Sequence, residues 1–544
     1  MYYIIPYFFV STSYKNFPAL TGNFYISYNL FMQKFIVILL LILLAIPAVK
    51  ALFIPGGFTS HDLTHHVIRQ ISMDKLLSEG QFPPRWSGEL NNGYGYPVFL
   101  FNYPLPAMFG EVFHKSGLGY VDSVKAVLLS SMLISVIGMY IFLYALLRSK
   151  LAAFLGAMFY LYAPLRFLNV YVSAAVGGAL ALGIVPFVFW AILRGKTVLG
   201  SVFLAALILS HNVTALIFAP LIILFARKNL KIILLGLGLS AWFWMPAVLE
   251  KQYTRFDEVF GNFYQDQFPS LQQLIRSPWG YGLSHPALPE PGDMSYQIGL
   301  VHIGVILVLL SRIKSDRLVV FVLAVFALSI FLMLKISLPL WENLPFLSMV
   351  QFPLRFQAIS IFAASIAAGL LIKYLPFKKI LFFSLLFLVI YANRNHWHIN
   401  QVFDPGEDYY LNLKTTSTTY GEHLPKWGKI YDSPSPGKLE FVSGGSQIRM
   451  LEDKSHRVMA EIESTSAATL RFNQIYFPGW ELKVDNKSYS FEQFDIDAGK
   501  HIILAEFKNT LVRNLADGIS LATVIVFLYA GYNKRFDKWQ KSVA

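Results

Sequence analysis

Long apolar runs separated by short polar connections dominate the chain from residue 35 onward. They fall near 35–53, 124–147, 151–168, 173–193, 197–211, 213–226, 231–249, 298–312, 318–334, 354–373, 380–393 and 514–532. A helix crossing a bilayer needs about 20 apolar residues, so the pattern predicts about twelve spans, several of them short. The pair around His211 reads as a re-entrant hairpin or as two spans.

The connections alternate in character. Arg148-Ser149-Lys150, Arg194-Gly195-Lys196, Arg227 to Lys231, Arg312 to Arg317, Lys373 to Lys379 and the tail Lys534 to Lys541 are basic. Such connections stay on the cytoplasmic side. Lys15 and Lys34 precede the first run, so both termini are expected there. The other connections, 54–123, 250–297, 335–353 and 394–512, are long and rich in Trp, Tyr, Pro and Gly. They are expected outside the cytoplasmic (inner) membrane. Function is expected among them, because chemistry concentrates on loops held by a rigid scaffold.

Two segments break the pattern. Residues 1–31 hold no span-length run, whereas Met32-Gln33-Lys34 leads directly into the first one. That reads as a signal-anchor start, with 1–31 an extension or a mis-called start. Segment 394–512 turns polar, and its second half alternates, as in Leu470 to Phe477, Trp480 to Val484 and Ile502 to Phe507. Turns at Pro478-Gly479, Asp485-Asn486-Lys487 and Ala498-Gly499 complete the signature of a small antiparallel β-sandwich-like domain. The predicted organisation is an extension (1–31), a transmembrane module (32–393) with outer loop 54–123, an extracytoplasmic β-rich domain (394–512), and a last span with a basic tail (513–544).

Composition agrees with a polytopic α-helical membrane protein. The chain is 55% hydrophobic with mean hydropathy +0.50, and 14% charged, against roughly a quarter charged in soluble domains. It has no cysteine, which excludes disulfides, thiolate metal sites and cysteine nucleophiles. The net charge of +13 is explained by the basic connections and does not call for nucleic acid.

Candidate chemistry starts in the loop after the first span. Asp62 is its first carboxylate, flanked by His61, His65 and His66. A carboxylate at the lipid–water boundary can deprotonate an acceptor hydroxyl. The competing reading is a helix cap, supplied by Ser60 or Asp62 to a helix over 63–79. Asp62, His65 and His66 are also candidate ligands of a divalent metal, although that set is incomplete. Arg69, Arg85, Arg255, Arg276 and Arg355 face outward and suit a phosphate. Arg355 could equally snorkel to headgroups. His211 and Asn212 lie between two apolar runs, as a cavity lining or a tight polar turn. Glu250, at the end of the 231–249 run, is open to the same two readings. Tyr94 and Tyr96 could stack on sugar faces or anchor the interface.

Taken in order, several segments resemble a known group. Ser60-His61-Asp62, Gly93-Tyr94-Gly95-Tyr96-Pro97, His211-Asn212 and Gln351-Phe352-Pro353-Leu354-Arg355 resemble the bacterial membrane family labelled "6-pyruvoyl-tetrahydropterin synthase-related". Glu422-His423-Leu424-Pro425 is similar to that group's Glu-Tyr-Leu-Pro, with His423 for Tyr. Tyr476 to Trp480 and Val484 to Lys487 resemble the outer domain of YfhO-like membrane proteins. A pterin synthase needs a zinc site and a cysteine-containing machinery, which this chain lacks. The resemblance implies instead the GT-C superfamily of glycosyltransferases, which use polyprenyl-phosphate sugars and place acidic residues in the first outer loop. Many members carry two acids there, and this chain has His61-Asp62, which leaves metal use open. The implied reaction is inverting transfer from a polyprenyl-phosphate-linked sugar to an envelope glycan, lipid or protein. Asp62 would be the base, Arg355 with Arg69 or Arg85 would neutralise the phosphate, and His211, Asn212 and Glu250 would line the cavity. A lipid-linked saccharide flippase and a non-catalytic envelope-assembly protein are the alternatives.

Overall fold

A computed structural model describes residues 19–543. Most of the expected N-terminal extension, residues 1–18, lies outside the described residues. Helix α1 (Ala19–Val49) runs through the position where that extension was expected to end.

The protein is a polytopic helical membrane protein with a C-terminal β domain. Among the described residues, five helices are long and apolar enough to cross a membrane alone: Phe35–Phe53, Tyr120–Leu147, Val176–Leu193, Pro353–Tyr374 and Leu511–Tyr529. Three bent pairs raise the number to as many as eight, and Thr197–Ser210, Asn212–Ala226 and Leu300–Leu310 are shorter apolar helices. The predicted apolar runs, several of them short, are thus met by straight, bent and short helices. The run 231–249, expected as one span, bends by 77° between Lys231–Leu239 and Ala241–Leu249. Gly236, Gly238 and Ser240 weaken the helix there. The Ser240 hydroxyl bonds back to the Gly236 carbonyl at 2.9 Å, a usual cause of a kink.

Close helix approach depends on small residues, since lipid supplies no hydrophobic drive between spans. Lys150–Leu161 lies against Gln357–Tyr374 with Gly156 facing the Ser365 carbonyl and Gly369 facing the Ala152 carbonyl; a Cβ at either would sit 3.0 Å or less from that oxygen. A cation, Arg166, is buried inside the body. Arg166 is fully buried, donates to the carbonyls of Ala179 and Ser131 at 3.2 Å each, and lies over the Tyr160 ring. Those carbonyls replace the carboxylate partner a buried cation would otherwise need.

The long connections converge. Strand β1 (Gly57–Phe58), just past the first span, pairs antiparallel with β2 (Val402–Phe403). Lys125, on the helix Tyr120–Leu147, holds the carbonyls of Ile54 and Gly56 at 2.6 Å each. The Leu424 carbonyl accepts from Arg255 N, and the Tyr94 carbonyl from Ile475 N.

Beyond them lies a β-sandwich-like unit. Strands β3 (Leu439–Ser443), β6 (Ala468–Phe472) and β9 (Gln493–Ile496) form one sheet in the order β3-β6-β9. The other sheet contains β4 (Gln447–Asp453), β5 (Arg457–Ser464), β7 (Trp480–Val484), β8 (Lys487–Ser488) and β10 (Gly499–Phe507), ordered β4-β5-β10-β7-β8. In β7, Trp480, Leu482 and Val484 are buried and the residues between them are not, so the period-2 pattern sets the face. Their partners on β10 are Phe507, Ala505 and Ile503.

The core of this unit is not its own alone. Trp86 of the first connection is fully buried among Trp480, Phe477 and Phe507, 5.6 Å from Trp480 and edge-on to it. Its indole N–H reaches Gln474 Oε1 at 3.2 Å. Gly95, at φ +88°, makes room, because a Cβ there would sit 2.3 Å from the Trp86 ring. The segment expected to be a domain in itself thus completes its core with the loop 54–123.

Candidate functional site

Helix α2 (Leu63–Ser78) starts where the first connection leaves the helical body. The Ser60 hydroxyl accepts from Leu63 N at 3.1 Å, which provides the side-chain cap. Asp62 occupies the N-cap position without a capping bond from its own carboxylate. Its backbone is fixed: Asp62 N donates to the Ser173 carbonyl at 2.9 Å, and His61 N to Val172 at 3.1 Å. Among the described residues no hydrogen bond or ion pair engages the half-buried Asp62 carboxylate. Of the two expected caps, Ser60 supplies the bond and the Asp62 carboxylate does not.

Around Asp62 the fold gathers His65, Tyr103 and Arg355, all of which feel its charge. Arg355 is oriented by the Val350 carbonyl and Gln351 Oε1, each at 2.8 Å, and lies over the Phe352 ring at 5.0 Å. Gln351 adopts φ +65° to form this turn. Arg69 donates to the Ser417 carbonyl at 2.6 Å, and its Nε has no partner. Tyr103 meets His211 edge-on at 5.0 Å, in space left by Gly177, where a Cβ would lie 2.2 Å from the Tyr103 ring. His211 Nδ1 accepts from Thr214 N at 3.1 Å, which caps the helix Asn212–Ala226. Beneath α2 a narrow cavity of about 10 Å³ is lined by His66, Arg69, Gln70 and Tyr103 among others, room for roughly one water.

Two members of the cluster were not singled out from the sequence. Tyr103 lies in the aromatic stretch 94–106, and Glu422 in the Glu-His-Leu-Pro segment, but neither pattern says that the residue faces Asp62. Glu422 acts electrostatically on His65, Tyr96 and His423, and its Oε2 is buried without a partner. His65 therefore feels two carboxylates, Asp62 and Glu422, the second from 360 residues further along the chain (422 − 62).

The imidazoles here are held neutral. Burial, and then the Arg69 charge, lower His65, against the pull of Asp62 and Glu422. Burial, Arg69, His65 and His211 lower His66 well below its ordinary value. Burial pushes His423 down to about 4. Such histidines oppose acid. The unfolded chain takes up protons from about pH 6.5 downward and the native state does not, so stability falls as pH drops from about 6.5 towards about 4. His423 contributes at most about 3 kcal/mol, at 1.36 kcal/mol per pKa unit. The melting temperature in detergent should therefore fall between about pH 7.5 and about pH 5, and fall less in His423→Gln. Equal pH dependence in both proteins would contradict this.

Other predicted residues lie elsewhere. His61 Nε2 donates to the carbonyls of Tyr281 and Gly282, at 3.2 and 2.9 Å, and so fastens a neighbouring connection. His66 is buried, facing Arg69 and His211 rather than Asp62. Among the described residues no group of three or more His, Asp or Glu is placed to hold a metal ion, so the set Asp62, His65, His66 is not assembled. Arg85 pairs with Asp517 at 2.6 Å and with Asn509. Tyr94 is stacked on Tyr431 at 3.6 Å. Tyr96 is fully buried, bonded to Thr418 at 2.9 Å and accepting from His423 N at 3.0 Å. Asn212 is exposed and bonds its neighbour Val213. Glu250 is buried in an ion pair with Arg513 at 2.8 Å, away from Asp62's partners.

No family model matches the chain, and no curated protein matches its sequence. Among solved structures it is similar to ArnT from Cupriavidus metallidurans bound to undecaprenyl phosphate, at 14% identity and TM-score 0.37, over 62% of this chain and 60% of that one. It is also similar to the Archaeoglobus fulgidus oligosaccharyltransferase in the apo form, at 14% identity and TM-score 0.44, over 74% of this chain and 62% of that one. The chain thus spans about three fifths of the length of each. At this identity and overlap the two structures assign it neither a family nor an activity, and the narrower likenesses drawn from its motifs have no counterpart in either comparison.

Proposed function

We propose that the protein is a membrane glycosyltransferase that moves a sugar from a polyprenyl-phosphate donor to a hydroxyl acceptor at the outer face of the cytoplasmic membrane. The observation that carries this reading is the Asp62 carboxylate, left free by the Ser60 cap and set near Arg355 where the spans end. Asp62 takes the proton of the acceptor hydroxyl as its oxygen attacks the anomeric carbon. The bond from that carbon to the phosphate oxygen breaks with inversion, and the lipid phosphate leaves with the electron pair. Arg355 and Arg69 meet the charge developing there, a contribution that is often the largest in such sites. In liposomes carrying a labelled polyprenyl-phosphate sugar, the purified protein should release polyprenyl phosphate when an acceptor is supplied. Movement of intact donor across the bilayer without release would favour the flippase reading instead, and neither outcome the assembly role.

The same reading places the β domain outside and the basic connections inside. A chain without cysteine makes the test direct. Ser490→Cys should react with a membrane-impermeant thiol reagent added outside intact cells, and Ser315→Cys only after permeabilisation. The reverse labelling pattern would overturn the orientation.

A further inference from the structure

Away from Asp62, the β domain carries a cleft of about 480 Å³ where the ends of its two sheets meet. Thr469 and Asp495 come from the β3-β6-β9 sheet. Asp485 and Lys487 come from the β7–β8 hairpin and His501 from β10, while Tyr489 and Asp497 lie just outside the strands. The volume lies within the range of small-ligand sites.

Four of its polar side chains, Thr469, Asp485, Asp495 and His501, are fixed in advance. Thr469 Oγ1 donates to Asp495 Oδ1 at 2.6 Å. Asp485 accepts from Ile502 N at 2.9 Å through Oδ1, and its Oδ2 lies 2.7 Å from His501 Nδ1. The other ring nitrogen of His501 lies 3.1 Å from the Asp497 carbonyl. Each carboxylate oxygen keeps a further lone pair for a ligand. Tyr489 is 38% exposed. Three carboxylates against one lysine repel phosphates and other anions, and the polar lining does not suit an acyl chain. Oriented carboxylates that accept from neighbouring hydroxyls, beside an exposed aromatic face, match a polyhydroxylated ring.

We propose that this cleft is a saccharide-binding site, separate from the Asp62 cluster and specific for uncharged sugars. Side chains held before binding lose little freedom on binding, so a weak, hydroxyl-rich ligand can still be retained. The site would give the membrane body a hold on glycan at its loop face, whether or not Asp62 performs transfer.

The full-length protein in lipid nanodiscs can be titrated with neutral trisaccharides built from glucose, galactose, mannose and N-acetylglucosamine, using saturation-transfer NMR and calorimetry. At least one should bind saturably. Tyr489→Ala and Asp495→Asn, both exposed substitutions, should each weaken it by about tenfold or more. Asp62→Asn should leave binding unchanged, so failure of the cleft and failure of the transferase reading are told apart. Should Tyr489→Ala fail to fold, Asp497→Asn takes its place. The proposal is overturned by no saturable binding of any trisaccharide, by binding indifferent to the cleft substitutions, or by cleft-dependent binding of only calcium ions or an oligolysine peptide.

Discussion

Replacing Asp62 by Asn should lower sugar transfer by about 10²–10⁴-fold, the usual worth of a positioned general base, while expression and melting temperature stay at wild-type values. The second half of that expectation is the unusual one. Most half-buried carboxylates cannot be neutralised without cost, because an ion pair or a cap is lost with them. Among the described residues the Asp62 side chain holds no such bond, and Ser60 caps α2 in its place. A matched pair of variants separates the two roles. Ser60→Ala should cost about 1 kcal/mol of stability with a small effect on transfer; Asp62→Asn should do the opposite. Arg355→Lys belongs to the same series. It keeps the charge but loses the planar fork that grips a phosphate, so transfer should fall without a matching loss of stability. Full transfer activity in Asp62→Asn would remove the basis of the transferase reading.

The second large effect is structural. Glu250→Ala should destabilise the protein by about 3–5 kcal/mol, because it leaves the guanidinium of Arg513 buried without its partner. Both side chains are almost fully buried, at 3% and 0% exposure. Arg513 donates to Glu250 Oε2 through Nε at 2.9 Å and Nη2 at 2.8 Å, and Thr510 Oγ1 donates to the other carboxylate oxygen at 2.5 Å. Arg513 also reaches the Pro478 carbonyl at 2.7 Å and that of Lys508 at 3.2 Å, and lies over the Phe507 ring at 4.6 Å. One guanidinium thus ties together the end of the helix Ala241–Leu249, the β domain at its Pro478-Gly479 turn, and the first turn of the C-terminal helix Leu511–Val543. Removing both ends with shape-matched apolar residues, Glu250→Leu with Arg513→Met, should recover much of the loss, since no charge is then stranded. Thermal unfolding in detergent measures both. A single-variant loss under about 1 kcal/mol, the scale of an exposed pair, would show that water reaches the pair.

These two sites mark how far the linear text of the chain reaches. Hydropathy is a local property, and so are strand alternation and the bias of basic connections. The membrane class, the apolar helices and the polar C-terminal segment with its strands at 470–472, 480–484 and 502–507 could all be read from neighbouring residues. Where the helices bend was less legible. Gly236, Gly238 and Ser240 permit a break at 240, but they do not require the 77° angle.

Partnership among buried polar groups was beyond reach. Glu250 and Asp62 look alike in the sequence, each an acid just past an apolar run. The fold gives one of them Arg513, 263 positions away, and leaves the other free. Glu422 comes within reach of His65, and Trp86 enters the core of the β domain, for the same reason. A charge or an aromatic ring withdrawn from water must be satisfied by whatever three-dimensional packing brings beside it. The sequence alone determined what would be withdrawn from water, and only the tertiary structure decided what would stand next to it.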